Sequence, residues 1–292
     1  TLARPPRSLW RDAWHRLVAN RLAQLGMAIS ILFLLVAVLA PVVAPYDATT
    51  DSDLVHRLNS PSQTHPLGTD EQGRDVLRRI AHGARASLGV GLGAVSIAVF
   101  IGTLIGLVSG FLGRWVDLTL MFLMDIMLAF PGLLLAIAVV ALVGPGLRNS
   151  MLAISVVSIP IYARIARSTV LSLKEQDFVT AARSIGVQPD RILFYHVFPN
   201  SLSPIIVQGT LGIATAILET AALGFLGLGQ QPPHPEWGAM LADTVKYLNK
   251  GAWWVLMFPG LAIVFTVLGY NLLGDGLRDA LDPRLRVDRS EG

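Results

Sequence analysis

Four stretches of this chain run for more than about 20 residues without a charged side chain in their interior: Leu22 to Tyr46, Ala86 to Gly113, Ile126 to Arg148 and Gly251 to Gly274. A bilayer core about 30 Å thick is crossed by roughly 20 apolar residues rising about 1.5 Å each, so every one of these is long enough to span it. Two more stretches are apolar but marked by charge. Asn149 to Val170 carries Arg164 and Arg167 toward one end, and Ser201 to Ala222 carries Glu219 toward the other. The chain therefore reads as all-α, with six transmembrane helices. Its 15% charged residues, against about 25% in a soluble domain, exclude disordered, collagen-like and nucleic-acid-binding classes. The first stretch is too long for a removable signal peptide and has no small-residue cleavage site before Tyr46.

An even number of spans puts both termini on one side, and the arginine and lysine distribution selects it. With the N-terminus inside, the inner segments hold Arg4, Arg7, Arg11, Arg16, Arg21, Arg114, Arg164, Arg167, Lys174, Arg183, Arg191, Arg278, Arg284, Arg286 and Arg289, which is 15 of the 23 basic residues. The orientation is N-in, C-in. Residues 1–21 form a cytoplasmic arm in which Trp10, Trp14, Leu17 and Val18 recur at helical spacing, the pattern of an interfacial helix on the inner leaflet. The remainder, 22–292, divides into the spans, an outer loop at 47–85, an inner loop at 174–199 and a cytoplasmic tail at 275–292.

In the second span Gly102, Gly106 and Gly110 recur every four residues, a stripe that lets another helix approach closely in lipid. Packing within this chain and contact with a second membrane subunit both fit it. Proline interrupts the third span at Pro131, the fourth at Pro160, the fifth at Pro204 and the last at Pro259, each removing a backbone donor and favouring a kink. Ionisable groups in the membrane are costly and mark candidate sites. Asp125 in the third span lies within reach of Arg164 and Arg167, as a structural ion pair or a substrate contact. Glu219 lies near the outer mouth, as a carboxylate for a substrate amine or a solvated rim residue.

Nothing supports catalysis. None of Lys174, Lys246 and Lys250 is preceded by Gly and followed by Ser or Thr, so there is no P-loop, and GxSxG, HExxH and GxGxxG are absent. With no cysteine there is no disulfide, thiolate zinc site or cysteine nucleophile. The histidines are scattered, with His234 alone beside an acid, Glu236, and no metal site is expected.

The inner loop is too polar to span and too patterned to be a mere connector. Phe178, Ala181, Ala182 and Ile185 mark an apolar face at helical spacing, Gly186 supplies a helix stop, and Pro189 a first position for a second helix. Two short helices joined by a sharp turn are expected. Their apolar face packs on the span ends or docks into a groove on a soluble subunit.

Thr180-Ala181-Ala182, Gly186 and Val197-Phe198-Pro199 resemble the EAA loop of ABC importer permeases. Thr180 stands where that pattern has Glu, so the loop has no carboxylate there. His65-Pro66-Leu67-Gly68-Thr69-Asp70, Gly73-Arg74-Asp75, Ala222 to Gly229, Pro235-Glu236-Trp237-Gly238 and Asn271 to Pro283 are similar to the signatures of the dipeptide, oligopeptide and nickel permease group, nearest to its C-type dipeptide subunits. The resemblance implies a multi-pass protein of the bacterial inner membrane and a homologous second permease. It also implies two ATP-binding subunits holding ATP and Mg, an external solute-binding protein, and a peptide substrate. Coupling to the ATPases would run through Thr180, Ala181, Ala182, Gly186 and Pro199, with no cofactor on this chain. Nickel and glutathione importers are alternatives in the same group. A secondary transporter driven by an ion gradient is the alternative outside it and predicts inverted repeats, of which none is convincing here.

Overall fold

Caps and breakers set most of the helix boundaries. The computed structural model describes residues 9–242 and 244–281, and among them the backbone is helical apart from loops and one isolated bridge between Thr69 and Asp75. The side chain of Trp10, Arg4 and Arg7 of the arm, and Arg284, Arg286 and Arg289 of the tail lie outside the described residues. The first helix, α1 (Leu9–Ala19), buries Ala13 and Leu17 against Leu277 and Ala280 and leaves Trp14 55% exposed, as an interfacial helix requires. Asn20 then starts α2 (Arg21–Val43), its side-chain oxygen accepting from the amides of Leu22 and Ala23 at 3.0 and 3.3 Å.

The second span departs from expectation. It is α3 (Val76–Leu112), capped by Asp75, and it begins ten residues before the uncharged stretch at Ala86. Its 37 residues reach about 55 Å, well beyond the bilayer core. The first turns therefore stand outside it, and the outer loop ends at 75, not 85. Charge is tolerated there because Arg79 pairs with Asp70, which also accepts from Arg74 at 2.7 Å.

The third span is broken. It consists of α4 (Arg114–Leu128) and α5 (Gly132–Val143), bent by 92°. Pro131 does this because the residue before a proline is pushed out of the α region and Pro131 itself is extended at ψ 127°. The other three prolines leave their helices continuous. Pro160 in α6 (Leu147–Lys174), Pro204 in α9 (Phe198–Phe225) and Pro259 in α12 (Trp254–Leu281) all sit inside continuous helices. Losing one donor does not break a helix whose other turns remain bonded. Six spans thus stand as five unbroken helices and one bent pair.

Between α6 and α9 come α7 (Asp177–Ser184), α8 (Pro189–Arg191) and a π-helical stretch over Ile192–Val197. Two short helices, α10 (Trp237–Leu241) and α11 (Val245–Leu248), lie in the outer loop before α12. The signature residues of both outer loops build one cap. Glu236, fully buried, starts α10 by accepting from the amides of Gly238 and Ala239 at 2.8 Å each, and takes Ser87 Oγ at 2.9 Å. Burial pushes its carboxyl up, and these three donors pull it back down. Trp237 donates to Ile80 O and Trp254 to Thr69 O, both at 3.0 Å.

The glycine stripe of α3 packs on α6. A Cβ at Gly102 would lie 2.7 Å from Ile159 O, one at Gly106 2.4 Å from Ala163 O, and one at Gly110 2.9 Å from Val170 Cβ. Gly106→Val is expected to cost about 1–3 kcal/mol or more through overpacking. The melting temperature of the purified protein should fall by several degrees, whereas Gly89→Ala, whose added Cβ meets nothing within 4 Å, should leave it unchanged or slightly raised. Equal melting temperatures for the two variants would disprove the close approach.

Candidate functional site

The inner loop folds as an elbow with two opposed apolar faces. α7 ends in a Schellman motif: the Val187 amide donates to Ala182 O at 3.1 Å and the Gly186 amide to Arg183 O at 3.0 Å, with Gly186 at φ +79°. Val179, Ala182, Ile192 and Val197 point inward and pack with Leu107 of α3 and Val170 of α6. Phe178, Ala181, Ile185, Phe194 and Tyr195 remain outside, with Ile185 81% and Tyr195 76% exposed. The reading that the loop packs on the span ends holds for the inward residues, and the outward ones are left exposed. Of the resemblance residues, Ala182 is buried while Thr180, Ala181, Gly186 and Pro199 are exposed.

The second half of the elbow differs from expectation. In place of a separate short helix, residues from Pro189 run without interruption into the fifth span as one 37-residue rod. Pro199 explains the π turn before it. Its ring cannot donate to, and clashes with, the carbonyl four residues back, and the widened path shifts the Phe198 amide onto Leu193 O, five residues back. The second half of the elbow is thus the N-terminal end of the fifth span.

Above the elbow, charges pair across α4 and α6. Arg167 forks onto Asp117 at 2.5 and 2.6 Å, and Ser109 of α3 adds a hydrogen bond at 2.5 Å. Lys174 donates to Gly110 O and Phe111 O at 3.1 Å each, closing the C-terminal end of α3. Arg164 reaches Asp125 at 2.6 Å, and both side chains are half exposed. Charges this open do not face lipid, so this side of α4 and α6 borders water or protein. A groove of about 480 Å³ lies here, lined by Arg114, Asp117, Phe122, Asp125 and Arg167.

Glu219 is not the solvated rim residue that its sequence position allows. It is half-buried on α9, and its Oε2 is buried without a hydrogen-bond partner. A Cβ on Gly132, the first residue of α5, would lie 3.8 Å from its Oε1. The break in the third span therefore comes to rest beside this carboxylate. No group of metal-binding side chains occurs among the described residues. His234 borders an outer cavity of about 400 Å³ with Glu71, Arg79 and Gln231.

Sequence reasoning missed Asp117, whose spacing from Arg114 reads as an ordinary surface pair, and Phe194-Tyr195. An aromatic pair in a polar inner loop was the signal available for the latter. Tyr162, buried on α6, carried no signal because an apolar helix admits tyrosine as core.

Comparison with known proteins agrees with this geometry. Residues 102–287 match the family described as "Binding-protein-dependent transport system inner membrane component", and residues 8–61 match "N-terminal TM domain of oligopeptide transport permease C". The chain is 51% identical over 281 residues to the "Dipeptide transport system permease protein DppC" of Alkalihalophilus pseudofirmus, covering 96% of this chain and 91% of that protein. It is 48% identical to the "Di/tripeptide transport system permease protein DppC" of Pseudomonas aeruginosa, covering 94% and 92%. It is 44% identical to the "Glutathione transport system permease protein GsiD" of Pectobacterium atrosepticum, covering 96% and 93%. A solved structure of inward-facing MetNI methionine ABC transporter shares the fold, with a TM-score of 0.58 at 18% identity over 70% of this chain and 96% of that one.

Asp117→Asn is expected to cost about 1–3 kcal/mol, because it weakens a charge-assisted fork and leaves Arg167 without its acid. Thermal unfolding of the purified protein measures it, and an unchanged midpoint would show that the fork contributes nothing.

Proposed function

Because this chain belongs to the binding-protein-dependent transport system inner membrane components, we propose that it forms half of the translocation pathway of an ATP-driven importer for short peptides. Dipeptides are the first substrate class, since the relatives' names share one chemistry. A dipeptide, a tripeptide and glutathione all present a free ammonium and carboxylates on a short backbone. A homologous permease completes the pathway, an external solute-binding protein delivers the peptide, and two ATP-hydrolysing subunits supply energy from the cytoplasmic side.

The observation that carries this reading is the outward face of the elbow. Phe178, Ile185, Phe194 and Tyr195 are exposed on the cytoplasmic side of the protein, where an apolar helix face needs a partner groove. The inward face is already packed, so the outward one is free for a soluble subunit. A chain without a P-loop must take its energy from such a neighbour. The elbow continues rigidly into α9, so closing of the ATPases below would tilt a span and shift the balance between outward-open and inward-open states. Only unequal contact with the two states moves that balance.

Purification of the tagged protein is expected to bring down two ATPases and one related membrane chain. The double variant Ile185→Ser with Tyr195→Ser should stay in the membrane, lose at least tenfold in recovered ATPase and lose uptake in proportion. Gly186→Val, which forces a β-branched residue to φ +79° at a cost of about 1–2 kcal/mol, should uncouple hydrolysis from uptake. Full ATPase recovery by the double variant would exclude the elbow as the docking site.

A further inference from the structure

α9 carries a polar stripe that lipid would not accommodate. Gln208, Gly212, Thr215 and Glu219 follow one another at spacings of four, three and four residues, which places them on one side of the helix. Gln208, Gly212 and Glu219 are half-buried and Thr215 is exposed, whereas Ile205, Gly209, Ala216 and Thr220, on the adjoining face, are buried in the bundle. A Cβ at Gly212 would fall 2.0 Å from Tyr162 Oη. The missing side chain thus lets the Tyr162 hydroxyl of α6 reach the same stripe.

The stripe ends at a carboxylate without a counter-ion. No hydrogen bond or ion pair among the described residues reaches Glu219 Oε2, although that atom is buried. By contrast Asp117 and Asp125, the acids of α4, are each matched by an arginine of α6. An unmatched acid at membrane depth is costly to keep charged. It is tolerated where its charge is used. Glu219 also lies beside the first residue of α5, where the helix N-terminus favours negative charge.

We propose that Glu219 binds the α-ammonium of the passing peptide, with the Tyr162 hydroxyl, Thr215 and Gln208 offering hydrogen bonds further along the stripe. This assignment rests on the peptide-importer reading above. A cation is the missing partner of a buried carboxylate, and a short peptide with a free amine is the cationic group the pathway receives.

The test uses the complete complex in proteoliposomes, with the binding protein saturated with a radiolabelled dipeptide. Glu219→Gln keeps the shape and removes the charge, and Glu219→Asp keeps the charge. Uptake is expected to fall at least tenfold in Glu219→Gln and to recover to more than a third of the native rate in Glu219→Asp, while both variants co-purify with all partner subunits. Uptake by Glu219→Gln within twofold of native overturns the proposal. So does equal loss in both variants, which assigns Glu219 to packing. Loss of the second permease on purification of Glu219→Gln overturns it as well, since the cation is then a basic side chain of that subunit. A native complex that takes up no dipeptide overturns the peptide-importer reading instead, and with it this one.

Discussion

In lipid the hydrophobic effect does not distinguish one apolar helix face from another, so helices that stay together need backbone proximity or polar contacts. Gly102, Gly106 and Gly110 supply the first for α3 and α6, because any side chain there would strike the backbone or Cβ atoms of the facing helix. Asp117, Arg167 and Ser109 supply the second, tying α4 to the same pair at its inner end. The outer end is held differently, by the buried Glu236 of the outer loop reaching Ser87 of α3. A second close approach joins α2 to α12, where a Cβ at Gly26 would lie 2.7 Å from Gly269 O.

What the elbow can do follows from this frame. Its inward residues pack on Leu107 and Val170, which belong to the two helices held together by the glycine stripe. The elbow is therefore seated on α3 and α6 while its continuation, α9, is the helix that bears Glu219. From Pro189 the elbow passes through the proline-widened turn into a single rod. The same rod carries the polar stripe. The second half of the elbow and Glu219 thus belong to one continuous helix.

Much of this was legible in the chain. Runs of uncharged residues gave the six crossings, Gly186 and Pro189 gave the turn of the elbow, and the glycine spacing of four gave a packing stripe, because each depends on a local physical rule. Other features were not legible. The early start of α3 could not be read because an arginine outside the bilayer looks the same in sequence as one excluded from a helix, until Asp70 is seen beside Arg79. Pro131 breaks its span while Pro160, Pro204 and Pro259 do not, and nothing in the residues themselves separates them. The contact of Gly26 with Gly269 lacks a regular repeat and carried no signal.

Composition and periodicity by themselves determined that the chain crosses a membrane several times and that it does so as apolar helices. Those are properties of segments, set by transfer of side chains and peptide groups between water and lipid. Only the tertiary structure decided which acids are matched and which is not. Asp117, Asp125 and Glu219 are each a single acid in an apolar stretch, and ion pairing depends on which helices face one another. Packing brought arginines of α6 to the first two and left the third beside the broken helix, a difference in partners that its position in the sequence does not reveal.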